Sequence, residues 1–140
     1  MDLVKILPIE LVYIILNYLC YPQPKELQKD IISYVDTMYQ TCNIYYKKWI
    51  IEMGQIGEDI NWLENDLILY ANEGVPTMLG IQPKLKKIFT RFCIADKVDF
   101  YVFDMNNKLS VKTRINMLLG LFTKEEREEF ITIVIAIVDR

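Results

Sequence analysis

The stretch KELQKDIISYVDTMYQTCNIYYKKWII, residues Lys25 to Ile51, decides the fold class. Its apolar positions Leu27, Ile31, Tyr34, Met38, Cys42, Tyr45 and Trp49 follow one another at steps of 4, 3, 4, 4, 3 and 4. Such steps keep side chains on one face of a helix with 3.6 residues per turn. Val35 and Tyr39 widen the stripe, and Gly54 and Gly57 mark its end. At 1.5 Å per residue the helix would be about 40 Å long. A stripe of that length needs several packing partners or a second chain. Tyr34, Met38, Tyr45 and Trp49 are therefore the candidate homodimer face.

The flanking segments read as helices too. Upstream, Pro8 to Leu19 forms a short helix: Pro8 suits the first helical position, where its missing N–H costs nothing. Glu10 favours the positive end of the helix dipole, and Leu11, Ile14, Ile15, Tyr18 and Leu19 share a face. Tyr21-Pro22-Gln23-Pro24 breaks this helix, because each proline disfavours helix in the residue before it.

Downstream, a third helix spans Glu58 to Asn72, with Ile60, Leu63, Leu67, Ile68 and Ala71 inward and Gly74 as its stop. A fourth opens at Pro83 and runs to Ile94, burying Leu85, Ile88, Phe89 and Phe92. Val98 to Val111 fits a helix ending near Met105 or a hairpin turning at Asn106-Asn107, and the helix is preferred because one isolated hairpin is marginal. Ser110 can cap a helix through Leu121, burying Ile115, Leu118 and Leu119. Thr123 and Glu126 form a capping box for the last helix. That helix starts with charge and becomes apolar all round from Phe130 to Val138, the mark of a central or oligomer-buried helix. The reading is all-α: one domain over 1–140, a bundle of about six helices, with one short hairpin near 98–111 left open.

Composition bounds the function. The 140 residues are 52% hydrophobic and 25% charged, which predicts a folded chain with a real core. A net charge of −3 provides no general attraction to nucleic acid or anionic membrane. The absence of histidine removes the commonest general base and metal ligand. Cys20, Cys42 and Cys93 are widely separated and form no CxxC pair, so they read as buried free thiols in a reducing compartment rather than a zinc site. Asp2 and Glu10 stand where a secretory signal would be basic or apolar. The apolar run from Phe130 to Val138 is far shorter than the roughly 20 residues of a membrane span. An intracellular protein, in cytoplasm or nucleus, is expected. Its richness in Ile, Tyr, Asn and Lys suggests an AT-rich genome such as that of a large DNA virus.

Leu7, Pro8, Glu10, Leu11, Ile14, Ile15, Leu16 and Leu19 resemble the L-P-x-E opening and following helix of the F-box family. Cys42, Tyr45 and Trp49 resemble its closing cysteine, aromatic and tryptophan cluster. The resemblance covers residues 7–50, and the interval from Leu19 to Cys42 is longer than the family's by about three helical turns. It implies that Leu7, Pro8, Leu11, Ile15 and Leu19 contact the ubiquitin-ligase linker protein Skp1, by helix-in-groove recognition. The region 55–140 would then hold the target-binding surface, without leucine-rich or WD40 repeats.

Two further clusters stand out. Lys84, Lys87 and Arg91 form one helical stripe, with Lys86 beside it and Lys47-Lys48 and Lys112 to Arg114 as extensions; it is the candidate nucleic-acid face, though ordinary solvated charge is the better reading. Carboxylates occur as Glu58-Asp59, Glu64 with Asp66, and Glu125-Glu126 with Glu128-Glu129, on helix turns expected to face solvent. No catalysis, cofactor or metal is expected, and the expected function is a protein–protein adaptor, with a homodimeric structural or regulatory protein carrying a weak basic nucleic-acid-binding face as the alternative.

Overall fold

The computed structural model describes residues 8–11, 14, 24–92, 97–99, 102 and 107–138. The chain is all-α. Helix α1 spans Lys25–Tyr45 and continues as a π-helical segment, Tyr46–Glu52. Helix α2 covers Glu58–Ala71, and a short 3-10 turn at Thr77–Leu79 leads to α3 at Pro83–Phe89. Helices α4, Val111–Leu121, and α5, Lys124–Val138, are joined by the short link Phe122-Thr123. Among the described residues there is no strand. Helix α1 packs against α5 and α2, and α2 packs against α4 and α3.

Local chemistry explains most boundaries. Ser110 Oγ accepts the Thr113 N–H at 3.3 Å and starts α4. At α5 the capping box is reciprocal: Thr123 Oγ1 accepts the Glu126 N–H at 3.2 Å, and Glu126 Oε2 accepts the Thr123 N–H at 2.8 Å. Pro83 occupies the first turn of α3. Gly74, at φ 76°, adopts the left-handed conformation that ends α2, and its N–H reaches Leu69 O at 2.7 Å. Asn72, fully buried, fastens the loop that follows. Its Nδ2 donates to Val75 O at 2.5 Å and Gly80 O at 2.9 Å, while Oδ1 accepts the Gln82 N–H at 2.7 Å.

The core gathers Leu63, Leu67 and Ala71 of α2, Leu85, Ile88 and Phe89 of α3, Ile115, Leu118 and Leu119 of α4, and Phe130 and Val134 of α5. Val98 and Val102 are buried with them. The described residues 97–99, 102 and 107–108 are helical, so helix takes the place of the hairpin there; residues 100, 101 and 103–106, the expected turn at Asn106 included, lie outside the described residues.

Tertiary packing turned several expected faces. On α1 the buried positions are Thr37, Thr41 and Tyr45, whereas Leu27, Ile31, Val35 and Tyr39 are exposed. Thr41 tolerates burial because its Oγ1 donates to Thr37 O at 2.8 Å. The wider π turn re-aims the end of the stripe, and Trp49 stacks on Trp62 with centroids 4.7 Å apart and planes 1° from parallel. Helix α3 ends at Phe89, short of Ile94: Thr90 Oγ1 donates to Lys87 O at 2.6 Å, and Phe92 is left exposed. Ile60 is also exposed: it shares the arc of Leu63, Leu67 and Ala71 but sits in the first turn of α2. Helix α5 is not central: Phe130 and Val134 are buried, but Ile133, Ile135 and Ile137 face outward.

An arginine holds the bundle's α1–α5 seam. Arg127 is only 1% exposed. Its Nε donates to Leu119 O at 2.8 Å, and its Nη1 to Asp30 Oδ1 at 2.8 Å and Ser33 Oγ at 3.3 Å. It stands among charged neighbours, Lys124 to Glu129, that sequence alone places on solvated helix turns.

Candidate functional site

The N-terminal motif is partly described. Pro8 opens a helical turn in which the Leu11 N–H donates to Pro8 O at 3.0 Å. Leu11 and Ile14 are 46% and 52% exposed, and Pro8 and Ile9 are exposed as well. Leu7, Ile15 and Leu19 lie outside the described residues, as do Cys20 and Cys93.

The motif's other end has different roles. Cys42 is exposed rather than buried, 3.7 Å from Met38 Sδ. Its thiol is pushed up by partial burial and by Asp59, against the opposing pull of Lys112. Tyr45 is buried, and its hydroxyl donates to the Asp66 carboxylate across the α1–α2 seam. Burial and that carboxylate raise the Tyr45 phenol far above its ordinary range. Burial also raises Asp66, while the Tyr45 hydrogen bond partly offsets it. The candidate dimer face is therefore turned inward: Tyr45 belongs to the core, and Tyr34, Met38 and Trp49 are half-buried against it. The outward apolar stripe of α1 is Leu27, Ile31 and Val35, with Ile32 and Tyr39 beside it.

The basic stripe is diverted into the fold. Lys84 Nζ lies 3.5 Å from the centroid of the Tyr70 ring and 3.9 Å from Glu129. Arg91 makes a two-point pair with Glu126, at 2.6 and 2.8 Å, and donates to Leu121 O at 2.7 Å. That pairing holds the Glu126 carboxyl below its ordinary range. Lys87 and Lys86 are exposed. Of the extensions, Lys48 sits 3.6 Å from Glu52, and Arg114 pairs at two points with Glu64. A stripe with two of its three cations already paired does not present the array that phosphate binding requires.

No family model, curated protein or solved structure matches this chain.

The paired carboxylates hold elements together. Glu64 meets Arg114, Asp66 meets Tyr45, Glu126 meets Arg91, and Glu129 accepts the Tyr70 hydroxyl. Burial first, and then Glu129, lift the Tyr70 phenol well above its usual range. Among the described residues, no three Cys, Asp or Glu side chains are grouped to hold a metal ion. No described helix is long and apolar enough to cross a membrane. Asn72, Tyr70 and Arg127 were not legible as organising residues. Their partners lie on other elements or beyond a helix end, and no local spacing rule points to them.

Proposed function

We propose that this chain is a non-enzymatic protein–protein adaptor whose F-box-like N-terminal segment engages a Skp1-type ubiquitin-ligase linker. The observation that carries the reading is the exposure of Leu11 and Ile14, 46% and 52%, on a helix opened by Pro8. Apolar residues left outside the core at helical spacing are the anchors that helix-in-groove recognition uses. Pro8 and Leu11, with Leu7, Ile15 and Leu19, supply the contact.

Light scattering of the chain alone and mixed with purified Skp1 tests this. A monomer that becomes a one-to-one complex, lost in Leu11→Asp while circular dichroism is unchanged, supports the adaptor. A chain that ignores Skp1 overturns it.

A second reading is favoured by the exposed stripe Leu27, Ile31 and Val35 on α1. Those residues supply a self-association face in place of the inward Tyr34, Met38, Tyr45 and Trp49. A concentration-dependent dimer that Ile31→Asp dissolves would support a homodimeric structural or regulatory protein.

A further inference from the structure

Helices α2 and α5 bound an open groove of about 410 Å³. Leu69, Phe130, Ile133, Val134 and Ile137 give it an apolar lining. Ile133 and Ile137 are one helical turn apart, and Ile137 is 55% exposed. Across α2, Asp66 and Leu69 are shared with a second cleft of about 450 Å³ that ends at Trp62 and the strongly exposed Met78. The two clefts adjoin along α2 from Trp62 to Ala71 and the turn at Glu73 that follows it. At 1.5 Å per residue the helical part is about 14 Å, and with the turn the surface matches about three turns of a partner helix.

The rim selects the partner. Among the described residues lining the α2–α5 groove, the charges are Asp66, Glu73 and Glu129 against Lys84. Lys84, over the Tyr70 ring and beside Glu129, offsets one of these three carboxylates, so the rim keeps a net negative charge. Like charge at such a rim disfavours an acidic partner and speeds the encounter with a cationic one.

We infer that the α2–α5 groove docks a cationic amphipathic helix of a partner protein. Apolar anchors at i, i+3 or i+4, and i+7 would cover Leu69, Ile133 and Ile137, and flanking Lys or Arg would face Glu73, Asp66 and Glu129. This deepens the adaptor reading by naming its second surface. The groove is more than a general acidic attraction, because removing an apolar side chain from its floor should matter as much as reversing a rim charge.

The test is fluorescence anisotropy with a labelled Leu/Lys amphipathic peptide of about 15 residues, long enough for the three-turn surface, and a Leu/Glu peptide of the same pattern. The unmodified chain should bind the Leu/Lys peptide and not the Leu/Glu one. Ile137→Lys and Glu73→Lys should each weaken binding by about tenfold or more. Ile56→Lys and Glu125→Lys, matched in charge change but on other surfaces, should change it less than about twofold. Equal losses in all four variants, or equal binding of both peptides, overturn the inference. A dimer at the assay concentration that Ile137→Lys dissolves also overturns it, because a second copy then covers the groove. Leu11→Asp must leave peptide binding intact, so a failure of Skp1 binding and a failure of the groove are read separately.

Discussion

Replacing Asp30 by Ala should destabilise the fold only while Arg127 is present. Arg127 is 1% exposed and binds Asp30 Oδ1, Asp30 O, Ser33 Oγ and Leu119 O, whereas the Asp30 side chain is 50% exposed. Deleting the carboxylate leaves a buried guanidinium short of its counter-charge. A fully buried pair loses about 3–5 kcal/mol when one partner goes, but the exposed side of Asp30 admits water. The charged hydrogen bond therefore sets the cost, about 2–3 kcal/mol. Arg127→Met removes the charge itself and strands mainly the Leu119 carbonyl, at about 1–3 kcal/mol. In the Arg127→Met background, Asp30→Ala should add less than about 0.5 kcal/mol, giving a coupling near 2 kcal/mol. Urea unfolding followed by circular dichroism measures all four proteins, with an unchanged m value as the check on two-state behaviour. A loss of about 2 kcal/mol corresponds to about 7 °C in Tm for a chain of this length. If Asp30→Ala costs the same in both backgrounds, the two side chains are not coupled and their ion pair does not hold the α1–α5 seam.

Thr123→Ala should cost about 1 kcal/mol, because the Glu126 N–H loses its cap; Thr123→Ser should recover most of it in the same urea assay. Asn72→Ala should cost about 2–4 kcal/mol, since three backbone groups of the 75–82 loop lose their partner together; hydrogen exchange should speed up first at Gln82. The Arg91–Glu126 pair sets an acid dependence. Glu126 is held below its ordinary 4.5 in the folded state, so its contribution is full above that value and fades as pH falls through the depressed folded value. Glu126→Gln should therefore be less stable than the unmodified chain at neutral pH, with the gap closing on acidification below about 4.5. Asp66 works in the opposite sense, because burial raises it and folding favours its proton. Asp66→Asn should steepen the acid-side loss of stability, and thermal melts across pH 3 to 7, about the range of ordinary carboxylate titration, check both signs.

The caps and helix stops were readable because each is settled within about one turn of backbone. Ser110, Thr123 with Glu126, Pro83 and Gly74 do in the structure what their residue types demand. The 3.6 periodicity likewise carried the all-α class and the buried trio Ile115, Leu118 and Leu119. Periodicity names a stripe but not its centre. On α1 the inward arc is set by where α2 and α5 lie, so Thr37 and Thr41 are buried while Leu27 and Ile31 are exposed. For the same reason the candidate dimer residues Tyr34, Met38, Tyr45 and Trp49 face the core.

The candidate surfaces divide in the same way. The proposed anchors Pro8 and Leu11 come from a motif of a few residues. The α2–α5 groove was not, because Leu69 and Ile137 belong to helices that meet only in the folded chain. The basic stripe Lys84, Lys87 and Arg91 was legible as a spacing, but its meaning changed once Tyr70, Glu129 and Glu126 arrived from elsewhere. Interactions within a turn have fixed geometry before folding and can be read from residue order. The pairing of Arg127 with Asp30, 97 positions apart, exists only after α1 and α5 are side by side, so burial and charge pairing were left to the tertiary structure.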